Sequence, residues 1–287
     1  MIKLKRERTA TAIPPDFTGE GALALRLLLL QGKRDGQLEF NSAIWKKAKK
    51  QLKKEAAGKC AYCEAETSVV AHGDVEHFRP KGGDDGYWYL AYCYDNYTYS
   101  CQICNQTYKK DKFPIFGTKL KLKPPLLNPY PANATPDVLR ATILTFAPDP
   151  LVDNTDYPMA TFLERTTKEK PTLIDPYMVD PEPFFKWEVD NVNKEVYIRP
   201  RNNTVKVKRT FLAVDEYLGL NREELCRVRW LTFRSLAVIR MAYEATDAGD
   251  PLRAACKDFI ELAISNEAPF AGMARYFVNK EWHLDLS

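Results

Sequence analysis

The sequence has no apolar run long enough to cross a lipid bilayer. Its longest one covers residues 22–30 and is interrupted by Arg26, whereas a membrane-spanning helix needs about 20 mostly apolar residues. The Gln-Gly-Lys-Arg segment at 31–34 is also a poor cleavage site for a secretory signal. We therefore expect a cytoplasmic protein without a membrane partner.

Two kinds of catalytic motif are missing as well. The 13 glycines nowhere show the spacing of a phosphate-cradling loop, so any ATP dependence would have to come from a partner. No serine or cysteine nucleophile is indicated, because the paired cysteines are better explained as metal ligands. Of the three histidines, His72 and His283 are expected to be loop, surface or packing residues, which leaves His77.

The residues that are present are ordinary for a globular protein, apart from the distribution of their charges. The 287 residues are 45% hydrophobic and 28% charged, which is enough for one large domain or two modest ones. Residues 1–60 contain 14 Lys or Arg against 6 Asp or Glu, a charge of +8, and the remainder sums to −4. A basic region suits a polyanionic partner, although a solvated helix face would explain it equally well.

The hydrophobic pattern predicts three segments and an α+β fold. A basic helical segment covers 1–57, a segment rich in cysteine and aromatic residues covers 58–117, and a mixed, mainly helical domain covers 118–287. Within the last, we expect a hairpin at 184–208 with its turn at Asp190-Asn191. Further helices are expected to begin at a capping box on Asn221 and at Asp250-Pro251.

One predicted helix, from Ser42 to Ala57, carries lysines along one side. Asn41 or Ser42 can cap it, and its apolar positions recur at helical spacing. The lysines would then form a surface able to bind nucleic-acid phosphates. They are Lys46, Lys47, Lys50, Lys53 and Lys54.

Four of the seven cysteines form two C-x-x-C pairs, which predict a zinc site. In a reducing compartment such pairs indicate metal before disulfide, and two pairs complete a tetrahedral Zn²⁺ site with no open position. A closed site is structural, and its binding energy would hold together a short polar segment. Redox-active or simply buried thiols are the alternative. The predicted ligands are Cys60, Cys63, Cys101 and Cys104.

Between and just after these pairs lie residues suited to phosphodiester hydrolysis. That reaction needs a base to deprotonate water and a cation with its ligands at the phosphate. His77 has the pKa range of such a base, and Glu76 and Asn105 supply oxygen ligands for Mg²⁺ or Mn²⁺. The zinc would bring residues 76 and 105 to one site. A Glu-His pair by itself is more often an ordinary surface or core pair.

The residues also resemble the HNH endonuclease family, in particular the HNH nuclease subunits of Septu anti-phage systems and their retron-associated relatives. The family pattern is a Cys pair, an acid-His-x-x-Pro-Lys strand, an aromatic stretch with an Asn, then Cys-x-x-Cys-Asn-x-x-x-Lys and Phe-Pro. The match covers about 60 residues. The chain supplies Cys60/Cys63, Glu76 to Lys81, Trp88 to Tyr92, Asn96, Cys101/Cys104-Asn105, Lys109 and Phe113-Pro114.

The resemblance implies roles for these residues and a ββα-metal fold around them. His77 on the first strand would be the general base, and Glu76 and Asn105, at the start of the helix, would bind the catalytic cation. Asn96 would brace the loop that orients His77, and Lys109 would be a weaker candidate for a phosphate contact. Asp74 and Lys81 are positioned as helpers, but a structural or solvated role is favoured. Tyr97 departs from the family, which often has Leu there.

Two classes of function follow. The first is a metal-dependent HNH endonuclease that cuts DNA, acting in anti-phage defence with an ATPase partner. The second is a non-catalytic zinc module that binds nucleic acid or serves as a scaffold, which the long segment 118–287 favours. Retention of Glu76, His77 and Asn105 together favours the nuclease.

Overall fold

The computed structural model describes residues 1–67, 72–83, 86–117, 137, 141, 143–144, 146–152 and 155–286. Its helices surround two small antiparallel sheets of two strands each. The expected α+β class is confirmed. Among the described residues, no helix is both long and apolar enough to cross a bilayer.

The N-terminal segment is helical, but the expected helix at 42–57 is divided in two. Helix α1 spans Gly19–Arg34, α2 spans Ser42–Lys46 and α3 spans Lys49–Glu55. Between α2 and α3 the amides of Lys47 and Ala48 bond to carbonyls three residues back, so the turn is tighter than an α-helix. The Asn41 carboxamide accepts from the amide of Ala43 and caps α2, as expected.

The segment with the paired cysteines contains the first sheet. Strand β1 (Asp74–His77) pairs antiparallel with β2 (Tyr97–Ser100), with Asp74 opposite Ser100. The Tyr-Thr-Tyr-Ser sequence of β2 has the aromatic and β-branched residues typical of strands, and all four are buried. A π-helix, Ile103–Lys109, follows directly.

The second sheet is the expected hairpin. After α4 (Met159–Lys168), strand β3 (Phe185–Asp190) pairs with β4 (Glu195–Pro200). The Asp190 carboxylate accepts from the amides of Val192 and Asn193, which closes the turn.

The rest of the chain is helical. Helix α5 spans Val205–Leu218, α6 spans Glu223–Ala245, α7 spans Pro251–Ile264 and α8 spans Ala271–Arg275, and a π-helix, Tyr276–Glu281, follows. Helix α7 begins at Pro251 as predicted. Asp250 caps it, because its carboxylate accepts from the amide of Leu252.

The capping box predicted at Asn221 is wrong. Arg222 occupies the cap position of α6 without a side-chain bond. The Asn221 carboxamide instead accepts from the amide of Ile198 and donates to its carbonyl. This residue therefore joins α6 to the edge of β4, a contact distant in sequence that local pattern could not reveal.

The largest core joins the cysteine-rich segment to the C-terminal part of the chain. It contains Cys60 and Phe78 together with Trp187, Leu218 and Phe277. The boundaries predicted at 57 and 117 stay predictions, but the packing is continuous across residue 117. The site described next therefore rests on the second sheet and on α5 and α6.

Candidate active site

The four paired cysteines meet at one point. Their sulfur atoms all lie within 4.8 Å of one another, and the Sγ atoms of Cys63 and Cys101 are 3.9 Å apart. Tetrahedral zinc with four thiolates at about 2.3 Å requires sulfur–sulfur distances of about 3.8 Å. The cluster can therefore hold a metal ion such as zinc, as the sequence predicted.

The backbone around the cluster is arranged for thiolate ligands. The amide of Cys104 points at the Sγ of Cys101, 3.4 Å away, and the Arg222 guanidinium lies 3.7 Å from the Sγ of Cys104. Burial disfavours the charged guanidinium, but the thiolates of Cys104 and Cys63 outweigh it and raise the pKa of Arg222. With a metal bound, this arginine at the start of α6 would offset the negative charge that four thiolates bring to the core.

A cleft of about 400 Å³ opens beside the cluster, between β1, the π-helix Ile103–Lys109 and the α2–α3 turn. It brings together three of the residues singled out from the sequence: Glu76, His77 and Asn105. Asn96 does not reach it. The other polar residues on its walls are Lys46, Lys49, Asp74, Lys81, Gln106, Lys110 and Asp111.

His77 is fixed by a hydrogen bond and two aromatic rings. Its Nε2 lies 3.0 Å from the carbonyl of Ala91, and because a carbonyl can only accept, Nε2 carries the proton. Nδ1 is then the unprotonated nitrogen of the neutral ring. Trp45 and Tyr97 each contact the imidazole edge-on at 5.1 Å. Burial and then the nearby Lys81 lower the pKa of His77 to about 3, below the near-neutral pKa that the sequence predicts. The ring is therefore neutral near pH 7 and able to accept a proton, but it is a weaker base than expected.

Tyr97, the departure from the family pattern, takes part in this arrangement. Its hydroxyl donates to the same Ala91 carbonyl at 2.7 Å, and its side chain is fully buried. The carbonyl is therefore held by two donors, one of which a leucine at this position could not supply.

Asn96 braces the loop that follows His77. Its Oδ1 accepts from the Arg79 amide and its Nδ2 donates to the Arg79 carbonyl, both at 2.9 Å. Its own carbonyl accepts from the amide of Phe78. The Arg79 guanidinium is anchored in turn by the Glu169 carboxylate at 2.6 Å. Asn96 thus holds backbone on the C-terminal side of His77 and is not among the residues that line this cleft.

Lys109 is not where a phosphate contact requires it. Its ammonium is fully buried, 2.5 Å from Oε1 of Glu76 and 3.0 Å from the carbonyl of His77. The expectation of a phosphate contact is therefore corrected: Lys109 is an internal counterion. Burial raises the pKa of Glu76, and the ammonium of Lys109 acts against that rise.

Asp74, for which a structural or solvated role was expected, lies at the cleft. Its carboxylate lies on the cleft wall next to the π-helix, accepting from Gln106 at 2.7 Å and from Asn105 at 3.4 Å. Because side chains two apart on a strand share a face, the alternation Asp74-x-Glu76 is the signal that could have revealed it.

Only some of the lysines of α2 and α3 line the cleft. Of the predicted set, Lys46 alone lines it, joined by Lys49, which the prediction left out. Lys47 pairs with Asp16 and Lys54 pairs with Glu7. Lys50 and Lys53 are not among the lining residues. Binding of nucleic-acid phosphates by the whole set of lysines stays a prediction, and within the cleft it concerns Lys46 and Lys49.

We expect the purified protein to contain about one zinc ion per chain, because four converging thiolates satisfy tetrahedral coordination. Elemental analysis of Cys104→Ser should show loss of most of this zinc, together with a lower melting temperature. Cys256→Ser is the matched control, because Cys256 is also buried but lies in another core cluster. Wild-type protein without zinc, or equal zinc in both variants, would contradict the assignment.

Comparisons with known proteins give one relationship. No family model matches the chain, and no solved structure matches it. Over 139 residues the chain is 32% identical to the Septu protein PtuB of Bacillus mycoides (strain KBAB4). The aligned part is 44% of this chain and covers 46% of the relative, so the similarity spans less than half of either protein. Over that part, the chain is similar to Septu protein PtuB.

Proposed function

We propose that this chain is a metal-dependent HNH endonuclease that hydrolyses phosphodiester bonds of DNA. The observation that carries the proposal is the cleft. A neutral imidazole with a defined tautomer and oxygen donors from a strand and a helix line its walls. The order of β1, β2 and the following helix, next to a four-cysteine cluster, is consistent with a ββα-metal module.

His77 is the proposed general base. With Nε2–H committed to the Ala91 carbonyl, Nδ1 is the nitrogen left to accept a proton from an attacking water. Trp45 and Tyr97 restrict rotation of the ring, and Asn96 fixes the backbone that follows. These contacts give the base a single orientation before substrate arrives, which lowers the entropic cost of reaching the transition state.

The donor set suits a hard divalent cation. Asp74, Glu76 and Asn105 offer carboxylate and amide oxygens, which Mg²⁺ and Mn²⁺ prefer to sulfur or imidazole ligands. When bound, such an ion would stabilise the charge that develops on the phosphate. Asp74 and Asn105 are adjacent, and Glu76 remains a candidate ligand whose Oε1 is shared with Lys109.

A nucleic acid is the substrate class that the basic residues of the cleft favour. Lys46 and Lys49 line the same cleft as Glu76 and His77, where they can contact the phosphates of a bound nucleic acid. Phosphate contacts position a duplex without reading its sequence, so little intrinsic sequence preference is expected.

A defence role is supported by the similarity to Septu protein PtuB. We propose that the chain is an effector of an anti-phage system, and that an ATPase subunit recruits or gates it. The sequence itself has no phosphate-binding loop, so an ATP requirement would belong to that partner.

The second candidate function is a non-catalytic zinc module that binds nucleic acid or forms a scaffold. The pairing of Glu76 with the buried Lys109 favours it, because the carboxylate already has a counterion without a metal. The cleft-lining Asp74, His77 and Asn105 favour the nuclease, since a scaffold has no use for them together.

We expect His77→Ala to lower DNA cleavage by about 10²- to 10⁴-fold, the usual contribution of a general base. Supercoiled plasmid, single-stranded DNA and RNA should be incubated with Mg²⁺, Mn²⁺ or EDTA, using the protein with any subunit that co-purifies. His283→Ala is the control, since His283 lies far along the chain in the C-terminal tail. Zinc content should be equal in both variants. Cleavage by His77→Ala at the wild-type rate, or cleavage that persists in EDTA, would exclude this mechanism.

A second prediction concerns DNA binding by the lysines. In a His77→Ala background, Lys46→Ala with Lys49→Ala should weaken binding and reduce the slope of log K against log salt by about two. Lys47→Ala with Lys54→Ala, which removes the same charge, should change the slope less because those ammonium groups are paired with acids. Fluorescence anisotropy with a labelled duplex measures both. A slope for Lys46→Ala with Lys49→Ala equal to that of the His77→Ala parent would show that the cleft lysines do not contact DNA.

A further inference from the structure

Helix α6 exposes apolar side chains along one side. Val228, Leu231, Val238 and Met241 are between 47% and 68% exposed. The first three recur at intervals of three and seven residues, the spacing of a coiled-coil seam, and Ser235 occupies the position between them. The opposite side of α6 packs in the core through Leu236 and Tyr243 and therefore cannot account for this stripe.

Helix α7 carries a matching stripe. Leu252, Phe259 and Leu262 are 54%, 41% and 62% exposed, and the exposed Ala255 completes the intervals of three, four and three residues. Its buried positions, Cys256 and Ile260, face the same core as α6. Such side-by-side apolar stripes are unusual on the surface of a monomer.

The two stripes lie on the same side of the helix pair. A connection of residues 246–250 joins the helices, which pack against each other and must run in opposite directions. On each helix the stripe is rotated from the buried positions by roughly a third of a turn in the same sense, at about 100° per residue. Because the helices are antiparallel, this rotation away from the buried core takes both apolar stripes to the same solvent-exposed face of the helix pair.

The charges beside the stripes have opposite signs on the two helices. Beyond the stripe of α6, on its outer edge, are the exposed Arg227 and Arg234. Beyond the stripe of α7, on its outer edge, are the exposed Asp258 and Glu261. Arg227 pairs with Glu223 on its own helix. The acidic edge has no ion pair among the described residues of the chain.

We propose that this face binds a second copy of the same chain, forming a four-helix bundle with a twofold axis parallel to the helices. That axis places α6 of one copy against α7 of the other. The apolar stripes then face each other, and Arg234 of each copy meets Glu261 and Asp258 of its partner. Antiparallel neighbours with alternating charge are the arrangement that such bundles favour. The surface is thus complementary to itself, as a twofold interface requires.

Sedimentation velocity on the full chain tests the proposal. Wild-type protein should sediment as a dimer of the 32.9 kDa chain at concentrations of about 10 μM, an affinity typical of a modest interface. Leu231→Asp with Leu262→Asp should be monomeric, with an unchanged circular dichroism spectrum. Leu212→Asp is the control, because Leu212 is equally exposed but lies on α5.

A charge exchange separates the second copy from any other partner. Arg234→Glu alone should weaken the dimer at least about tenfold, since like charges then face each other. Adding Glu261→Arg to the same chain should restore it, because each reversed charge again meets its opposite in the partner copy. A wild-type monomer at about 100 μM, or a double variant no tighter than the single one, would overturn the proposal. So would a monomer that uses this face to bind a different subunit.

Discussion

The convergence of four thiolates is the constraint on which the site depends. It ties the turn after α3 to the segment between β2 and the π-helix, and it thereby sets the distance between β1 and that helix. Side-chain contacts of Lys109 with Glu76 and of Gln106 with Asp74 also join β1 to that helix, whereas strands of four residues make little sheet of their own. Arg222, at the start of α6, contacts the Sγ of Cys104. The C-terminal helices therefore help to hold the cysteine cluster in place.

Charge compensation is repeated around the cleft. Lys109 neutralises Glu76, Glu169 neutralises Arg79, and Asn96 satisfies the backbone between them. Each buried charge has a partner from a different element, which is the condition under which such groups are tolerated. One side of His77 is therefore packed against these paired groups. On the other side is the cleft, which Asp74 and the lysines also line.

Much of the site could be predicted from the sequence because its signals are local. The cysteine spacing, the Glu-His pair and the Asn after the second cysteine pair identify the residues that line the cleft or could hold a metal. The features that the sequence did not predict depend on contacts between residues that are far apart in the chain. The bond of Asn221 to Ile198, the burial of Lys109 and the tight turn at Lys47 arise from packing between elements far apart in the chain. A lysine is expected at the surface from its residue type alone. Lys109 is buried because it pairs with the carboxylate of Glu76, which the sequence does not reveal.

The most direct test of this account is diffraction from crystals soaked in Mn²⁺, with anomalous maps that distinguish zinc from manganese. We expect zinc among the four Sγ atoms and manganese in the cleft, bound by Asn105 with Asp74 or Glu76, on the Nδ1 side of His77. Manganese bound elsewhere, or a cleft that stays empty while Lys109 keeps Glu76, would contradict the claim that these residues form a single catalytic site.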